Sequence, residues 1–423
     1  MSTVLLAVIA VILCVLFRIL NVNSQPQKPV IYGRDRSFIE NILFITPFIS
    51  EPYIPTRLWG FSGHVQTILH SLIGRVRCPW PIGGRISLVL PDRSTLTYDL
   101  YEPVGAEHED DVTVAICPGI GNTSESVYIR TYVHYSQCHG YRCAVLNHIG
   151  ALNSVPVTSS RIFSYGHTDD YNYMIENLLE RYPNTKLILV GFSLGGNLIT
   201  KYLGEERKRS PNIIGGISIC QGYNAIDTMV YLLQWQNFRR FYLYIMTDNY
   251  RNIITRHKRI LLSPDLKSRF KLDENMIVSA GTLPDLDEAY SRRVHNFESV
   301  AELYKWSSSA FYLENLKTLP ISYIKMLIKK YFFTGSRDKM MYLELSHGGH
   351  LGFYEGGLVY ANPVNWLDRA LVGLVGGLLM AHNKCSPKED HSSDTAVSED
   401  EPDLIKSATI VYKDPFDKAC QTC

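Results

Sequence analysis

The sequence has no excess of charge of either sign. It carries 42 basic and 41 acidic side chains, for a formal net charge of +1. A protein that binds nucleic acid through its overall charge carries a surplus of lysine and arginine, so this class is excluded. With 46% hydrophobic and 20% charged residues, the composition also excludes a collagen-like repeat and a chain that is disordered throughout.

Cysteine is sparse and irregularly placed. The nine cysteines stand at positions 14, 78, 117, 138, 143, 220, 385, 420 and 423. No two CxxC elements occur, so the pattern of a structural zinc site is missing. An odd number without a repeating interval is also untypical of a disulfide framework. We therefore expect neither a zinc scaffold nor a disulfide scaffold.

Long apolar runs are scarce, and one of them begins near the N-terminus. Val4 to Phe17 gives fourteen consecutive apolar residues, and the run reaches seventeen if Arg18 extends its charge to the membrane interface. A spanning helix needs about 20 apolar residues, within a range of about 17 to 25. We predict an uncleaved single-pass membrane anchor over residues 1–22.

A cleaved signal peptide and a buried helix are the alternatives for this run. No basic residue precedes it and no small-x-small cleavage site follows, which disfavours a signal peptide. Basic residues after the run favour a cytoplasmic position for the following domain. The sequence leaves topology and organelle open.

The acidic C-terminal end has the composition of a disordered tail. Between Ser386 and Asp403 there are seven acidic residues and one lysine, with serine and proline among them. Such a segment has too little apolar surface to bury. We predict a solvated tail over residues 386–423 and a single folded domain over residues 30–382.

An apolar run followed by Gly-x-Ser-x-Gly is the most informative pattern in the chain. Lys186–Val190 has the length of a strand, Gly191-x-Ser193-x-Gly195 follows it, and the next residues have helical apolar spacing. This is the pattern of a nucleophile elbow, in which the glycines let neighbouring backbone pass close to the serine. We predict Ser193 as a nucleophile and the Leu194 N–H as an oxyanion donor. An ordinary glycine-rich turn is the alternative.

A second strand with a glycine-rich loop precedes the elbow. Val112–Cys117 is apolar, and Pro118–Asn122 contains two glycines. A loop in this position supplies the second oxyanion donor beside a nucleophile elbow, and we predict the Ile120 N–H. A plain turn is the alternative. A third strand at Ala144–Asn147 follows at βαβ spacing, which predicts a mostly parallel sheet.

A histidine in a loop after the last strand is the expected base. Met340–Leu345 has the pattern of that strand, and Ser346–Phe353 contains two glycines and two histidines. We predict His350 rather than His347, because the residues after His350 return to apolar packing. A core histidine and a metal ligand are the alternatives, although no third cluster of ligands supports a metal.

Together these motifs resemble the membrane-anchored α/β-hydrolase-domain family of monoacylglycerol lipases. The likeness runs from about residue 30 to residue 370. The segments that carry it are Trp59-Gly60, Ser62–Thr67, Cys117–Asn122, Tyr128–Thr131, Gly140–Asn147, Gly191–Asn197 and His347–Phe353.

The resemblance implies an α/β-hydrolase fold, an N-terminal anchor and hydrolysis of monoacylglycerols and related lipid esters. It implies Ser193 as nucleophile and His350 as base, with no metal or organic cofactor. The partners that it implies are a lipid ester substrate and a membrane, and no nucleic acid.

The sequence departs from the family at the acid of the triad. The family carries an Asp-Asp-Pro-type loop after the strand that precedes the histidine strand, in the chain order Ser, Asp, His. Here residues 319–333 contain no acid. Asp338 precedes the last strand whereas His350 follows it, so we expect the two at opposite ends of the sheet.

Three explanations for the missing acid are open. The chain is a splice form or an incomplete gene model that lacks a segment, or it is an active enzyme with another acid, or it has lost catalysis and kept lipid binding. Asp285, Asp287 and Glu314 are candidate replacements, although none follows an obvious strand. Loss of the acid lowers turnover by about four orders of magnitude in the serine-protease triad.

The stretch between the elbow helix and the histidine strand is long enough to contain an inserted cap, roughly over residues 222–312. Tyr231–Met246 is aromatic-rich with helical spacing, which suits either a fatty acyl pocket or packing of the cap on the sheet. For Arg239 and Arg240 the two interpretations are contact with lipid headgroups and, as the default, a solvated surface.

We therefore predict an α/β-hydrolase fold with a mostly parallel sheet and a helical cap. The predicted activity is serine hydrolysis of lipid carboxylic esters, most of all monoacylglycerols. The alternative is a catalytically impaired, membrane-anchored lipid-binding form. An acyltransferase is a further alternative, although no His-x4-Asp element occurs in the chain.

Overall fold

The computed structural model describes residues 3–21, 23–72, 79–104, 110–316, 321–325, 339–385 and 409–411. The strands in these ranges are β1 Val30–Gly33, β2 Gly84–Val89, β3 Thr95–Tyr101, β4 Val112–Cys117, β5 Arg142–Asn147, β6 Lys186–Phe192, β7 Ile213–Ile219, β8 Ile321–Lys325, β9 Met340–Glu344 and β10 Thr409–Val411. The α-helices are α1 Thr3–Leu20, α2 Arg36–Ile45, α3 Gly63–Leu72, α4 Val127–Cys138, α5 Asp169–Arg181, α6 Leu194–Gly204, α7 Ala225–Leu232, α8 Arg239–Arg256, α9 Lys258–Leu261, α10 Pro264–Phe270, α11 Glu274–Ser279, α12 Leu283–Leu286, α13 Arg292–Val294, α14 Val300–Ser307 and α15 Trp366–Cys385.

The chain divides into two compact units. The elbow unit is Trp80–Lys317, and the terminal unit comprises Met1–Pro79 with Thr318–Cys423. The predicted elbow and its glycine-rich loop belong to the elbow unit, and the predicted histidine loop belongs to the terminal unit.

The sheet of the elbow unit has the strand order β7-β6-β4-β5-β3-β2. Strands β7, β6, β4 and β5 are parallel to one another. Strand β3 pairs in antiparallel fashion with β5 on one side and with β2 on the other. Every residue of β4 is buried, as expected for a parallel strand that is covered on both faces. Helices α4, α5 and α6 connect the parallel strands in turn, so the predicted α/β class is confirmed.

The strands around the elbow lie close to their predicted positions. Strand β4 has its predicted bounds, and β6 continues two residues beyond the predicted run, to Phe192. Strand β5 begins at Arg142, two residues before its predicted start, because pairing with β4 already includes Arg142 opposite Thr113.

Helices α7 to α14 follow β7 and share an apolar core of their own. The aromatic segment 231–246 is not one helix, since α7 ends at Leu232 and α8 begins at Arg239. Phe238 has a left-handed backbone, with φ of 55°, which ends the preceding helical turn. The helical spacing of the aromatic and apolar residues in the sequence therefore does not reveal the break between α7 and α8.

One carboxyl group lies inside this apolar core. Asp287 is fully buried and accepts hydrogen bonds from the hydroxyls of Tyr165 at 3.0 Å and Tyr304 at 2.7 Å. Burial raises the pKa of the Asp287 carboxyl to about 6, because desolvation disfavours the ionised form by more than the hydroxyl donors favour it.

In the terminal unit β9 pairs with β8 in parallel and with β1 in antiparallel fashion, and β10 pairs in parallel with β1. Helix α15 packs against α2 at two glycines. A Cβ on Gly373 would lie 1.7 Å from Cγ2 of Thr46, and one on Gly377 would lie 3.0 Å from the Ile42 Cα. Close packing of these two helices therefore requires glycine at both positions.

Helix α1 has a mean hydropathy of 2.9, and none of its side chains is buried. This excludes the buried-helix alternative. Its 18 residues extend about 27 Å at the helical rise of about 1.5 Å per residue, close to the bilayer core of about 30 Å. Within the described residues α1 is the helix long and apolar enough to cross a membrane, a property that an N-terminal signal sequence shares.

The buried carboxyl predicts a pH dependence of stability. Because the pKa of Asp287 is raised from 3.8 to about 6 in the folded chain, its contribution to stability is complete below about pH 4 and is lost as the pH rises through about 6. We expect the wild-type melting temperature to fall over this range more steeply than that of Asp287→Asn. Thermal melts of the full chain in detergent between pH 4.5 and 7.5 measure the two slopes.

Asp265→Asn, which changes an exposed residue of α10, is the matched control and should keep the wild-type slope. Equal slopes for wild type and Asp287→Asn would contradict the prediction.

Candidate active site

The turn between β6 and α6 consists of Ser193 alone. Its φ of 53° and ψ of −115° are rare for a residue with a side chain and cost about 1–3 kcal/mol. The Ser193 N–H donates a hydrogen bond to the carbonyl of Ile219, the last residue of β7, at 2.8 Å. The neighbouring strand thus holds the predicted nucleophile in the strained backbone that an elbow requires.

The glycines of the motif are required by close backbone contacts. A Cβ on Gly191 would lie 2.3 Å from the Gly195 carbonyl oxygen, and one on Gly195 would lie 1.9 Å from that of Cys117. Both contacts are with backbone atoms, which cannot turn away as a side chain can. The steric reason that the sequence suggested for this spacing is therefore present in the structure.

The loop after β4 lies beside Ser193. A Cβ on Gly119 would lie 3.4 Å from the Ser193 Cβ. The Gly119 N–H donates to the hydroxyl of Tyr128 at 2.9 Å, and the Asn122 N–H donates to the Gly119 carbonyl at 3.0 Å. The Asn122 side chain also donates to the Ile120 carbonyl at 3.0 Å. These bonds fix the loop over Ser193.

The two predicted oxyanion donors lie on either side of Ser193. Leu194 is the first residue of α6, a position whose N–H has no partner within a helix. Ile120 follows Gly119 in the loop that lies beside Ser193. The role of these two N–H groups as oxyanion donors stays a prediction.

His148 supports the same loop from the core, a role that sequence reasoning missed. Its Nε2 lies 3.1 Å from the Pro118 carbonyl, and its ring packs on Phe163 with centroids 4.9 Å apart. Burial lowers the pKa of His148, so the neutral ring donates to that carbonyl. The available signal was its position directly after β5, at the sheet edge where β4 and β6 also end.

A polar network anchors the segment that leads from this loop into α4. The Ser124 hydroxyl donates to Asp99 at 2.7 Å, and the Ser124 N–H donates to the Asn147 side chain at 2.9 Å. Asp99 also accepts two hydrogen bonds from Arg85, at 2.7 and 2.9 Å. The ends of β3 and β5 thereby hold the approach to the Gly119 loop.

The histidine loop of the terminal unit turns at Gly348 and Gly349, whose φ angles are 131° and 62°. The His350 N–H donates to the Thr67 hydroxyl at 2.8 Å. The His350 side chain is exposed to solvent. Its role as the base stays a prediction.

His347 is occupied by the segment that follows α1. Its Nε2 lies 3.2 Å from both the Ser24 hydroxyl and the Gln25 carbonyl. Its ring meets Phe61 edge-on, with centroids 5.3 Å apart. The neighbouring Ser346 hydroxyl donates to the Gln27 side chain at 2.7 Å. The buried His347 thus ties the histidine loop to the segment after α1.

The candidate acids have local roles or lie outside the described residues. Asp285 accepts hydrogen bonds from the N–H and hydroxyl of Thr282 and so caps α12. Asp287 is buried and accepts hydrogen bonds from the hydroxyls of Tyr165 and Tyr304. Asp338, most of the acid-free region near 320–336 and the Glu314 side chain lie outside the described residues.

Residues 112–343 match the family model described as the alpha/beta hydrolase fold. The matched range begins at β4 and ends in β9, and it includes Ser193 and the Gly119 loop.

Three curated relatives are similar over most of the chain. Abhydrolase domain-containing protein 2 of Drosophila melanogaster is 60% identical over 395 residues, covering 90% of this chain and 98% of the relative. Monoacylglycerol lipase ABHD2 of Homo sapiens is 38% identical over 406 residues, covering 92% and 95%. Phospholipase ABHD3 of Homo sapiens is 22% identical over 373 residues, covering 84% and 86%.

The contact at Gly195 predicts an unusual response to alanine. Alanine is favoured over glycine in a helix by about 1 kcal/mol, yet Gly195→Ala would place its Cβ 1.9 Å from a backbone oxygen. We expect a loss of about 1–3 kcal/mol in the free energy of unfolding, because the elbow must shift. Urea unfolding of the full chain in detergent measures it.

Gly216→Ala is the control, because its Cβ would meet a movable Leu203 methyl group at 3.0 Å. We expect Gly216→Ala to cost less than Gly195→Ala. A stability for Gly195→Ala at or above that of the wild type would contradict the steric explanation.

The contacts of His347 predict a loss of order in the histidine loop when they are removed. We expect His347→Ala to lower the protection of amides in residues 346–353, because the loop loses its bonds to the segment after α1. His347→Gln should retain part of the protection, since its amide can still donate to the Gln25 carbonyl. Hydrogen exchange with mass spectrometry measures both. Unchanged exchange in His347→Ala would contradict this role.

Proposed function

The chain belongs to the α/β-hydrolase family, in the group of the abhydrolase domain-containing protein 2 relatives, and from that premise we propose that it hydrolyses carboxylic esters of lipids through an acyl-serine intermediate. The strained backbone of Ser193, with the Gly119 loop beside it, is the observation that carries the proposal. The proposed residues are Ser193 as nucleophile, His350 as base, and the N–H groups of Leu194 and Ile120 as oxyanion donors.

In the first half of the reaction the Ser193 Oγ attacks the ester carbonyl carbon while His350 accepts its proton. The negative charge on the carbonyl oxygen is stabilised by the two N–H groups, of which each typically contributes about 2.7–4 kcal/mol to the transition state. The C–O bond then breaks, the alcohol leaves with the proton from His350, and the acyl group stays on Ser193.

In the second half water gives a proton to His350 and attacks the acyl carbonyl. The same two N–H groups stabilise the second oxyanion. Collapse releases the fatty acid and returns the proton to Ser193. These steps need no metal ion and no organic cofactor.

Monoacylglycerols are the proposed substrates. A relative that is 38% identical over 92% of the chain carries the name monoacylglycerol lipase. We also propose that helix α1, which is long and apolar enough to cross a membrane, is a single-pass anchor. Such an anchor would hold the enzyme at the membrane, where lipid substrates concentrate.

A catalytically impaired, membrane-anchored lipid-binding form is the second candidate. The observation that favours it is the absence of acidic residues from positions 319–333. Without an acid to fix its tautomer and stabilise its cation, a catalytic histidine loses most of its effect.

Covalent labelling with a fluorophosphonate probe distinguishes the two candidates, because the probe reacts with an activated serine. We expect the full chain to be labelled, Ser193→Ala to lose labelling, and His350→Ala to be labelled at least tenfold more slowly, as general-base catalysis contributes about 10²–10⁴-fold. Fatty acid release from monoacylglycerol, compared with phosphatidylcholine, then tests the substrate.

Ser210→Ala and His139→Ala are the matched controls and should be labelled like the wild type; Ser210 lies before β7, and the exposed His139 lies at the end of α4. A wild-type chain that melts cooperatively but is not labelled would overturn the hydrolase and favour the lipid-binding form.

A further inference from the structure

A stretch of the cap carries basic and aromatic residues without any acid. Between Asp227 and Asp248 there is no aspartate or glutamate, whereas Arg239 and Arg240 add two positive charges. Trp235 and Phe238 precede these arginines and Phe241 follows them, and the same stretch contains three tyrosines. The composition resembles that of a membrane–water interface, where aromatic and basic side chains concentrate.

Four aromatic side chains of this stretch face solvent in the structure. Trp235 is 79% exposed, Phe238 58%, Phe241 49% and Tyr244 51%. We name these four residues the aromatic ridge. Exposed apolar surface of this kind often marks a binding site on a soluble domain.

Two residues of the ridge, Phe241 and Tyr244, belong to α8, whereas Trp235 and Phe238 precede it. A spacing of three residues separates Phe241 and Tyr244 by about 60° around the helix axis, so both lie on one side of α8. Leu243 and Thr247 of α8 are buried in the cap core instead. One side of α8 is therefore packed in the cap core, whereas the aromatic ridge is exposed to solvent.

The two arginines lie against aromatic rings of the same stretch. The Arg239 guanidinium is 3.5 Å from the ring centroid of Tyr231, and that of Arg240 is 4.2 Å from the ring centroid of Trp235. Arg239 also donates to the Gln234 side chain, and the Arg240 Nε donates to the Leu233 carbonyl at 2.6 Å. Stacking keeps each guanidinium beside the aromatic surface, and its other N–H groups can bind phosphate.

We infer that the aromatic ridge docks on the surface of a lipid bilayer that contains anionic headgroups. Its four aromatic side chains enter the interfacial layer, and Arg239 and Arg240 bind lipid phosphates. The inference concerns membrane contact of the cap and does not depend on the proposed hydrolysis.

The charge of the stretch favours a bilayer over a second copy of the chain. In a two-fold dimer through the ridge, the same patch would face itself and bring the arginines of both copies together with no acid between them. An anionic lipid surface supplies the opposite charge. A chain that α1 holds at a bilayer would also meet that surface at high effective concentration.

Bromolipid quenching of tryptophan fluorescence tests the inference on the full chain in nanodiscs of phosphatidylcholine and phosphatidylserine at 7:3. The fluorescence contribution of Trp235 is obtained by subtracting the emission of Trp235→Phe from that of the wild type. Trp80→Phe is the matched control, because Trp80 lies in the same unit, is 67% exposed and also carries an arginine, Arg130, at 3.7 Å.

We expect brominated lipid to quench the Trp235 contribution at least twofold and to leave the Trp80 contribution nearly unchanged. Equal quenching of the two contributions would overturn the inference, because contact would then not be specific to the ridge. Absent quenching, with Trp235 emission that shifts with protein concentration, would overturn it in favour of a second copy.

The electrostatic part is tested by Arg239→Gln with Arg240→Gln in the same nanodiscs. We expect quenching of Trp235 to fall at least twofold in this variant, and likewise in wild type when phosphatidylserine is omitted. Arg259→Gln with Arg269→Gln, which removes two exposed charges from α9 and α10, should behave as wild type. Equal loss in both double variants would overturn specific binding by the ridge arginines.

Discussion

The contact between Gly195 and the Cys117 carbonyl is the constraint on which the elbow depends. It brings the first turn of α6 against the end of β4, a fit that leaves no room for a side chain. The same close contact places the loop after β4 beside Ser193. Because strained backbone persists only where its surroundings over-determine it, the bond from Ser193 to the end of β7 is part of the same arrangement.

The helices that follow β7 are hydrogen-bonded to α6, the helix that begins directly after Ser193. Asn197 of α6 donates to the Ser307 carbonyl at 2.7 Å and accepts from the Ser309 N–H at 3.0 Å. One turn later the buried Lys201 donates to the Gly166 carbonyl at 2.7 Å and lies 4.0 Å from the centroid of the Trp306 ring. The cap and the elbow helix therefore share buried polar contacts, so the position of one constrains the position of the other. The aromatic ridge belongs to the same helical cap.

The two histidines of the histidine loop have different surroundings in the terminal unit. His347 and His350 are three residues apart, yet the first is buried against the segment after α1 while the second is exposed to solvent. Glycines at 348 and 349 allow this divergence, because their φ angles of 131° and 62° are disfavoured for residues with a side chain. The segment after α1 thus takes part in the order of the loop that carries the proposed base.

The sequence by itself determined the α/β class, the parallel strands and the turn at Ser193. These features are contiguous patterns, in which a strand, a glycine-bounded serine and a helix follow one another within a few residues. It did not reveal the support of the Pro118 carbonyl by His148, the break at Phe238, the burial of Asp287 or the exposure of the ridge. Only the tertiary structure decided these, because each depends on contacts between residues far apart in the chain, such as Asp287 and Tyr165, and local periodicity carries no information about which distant side chains will meet.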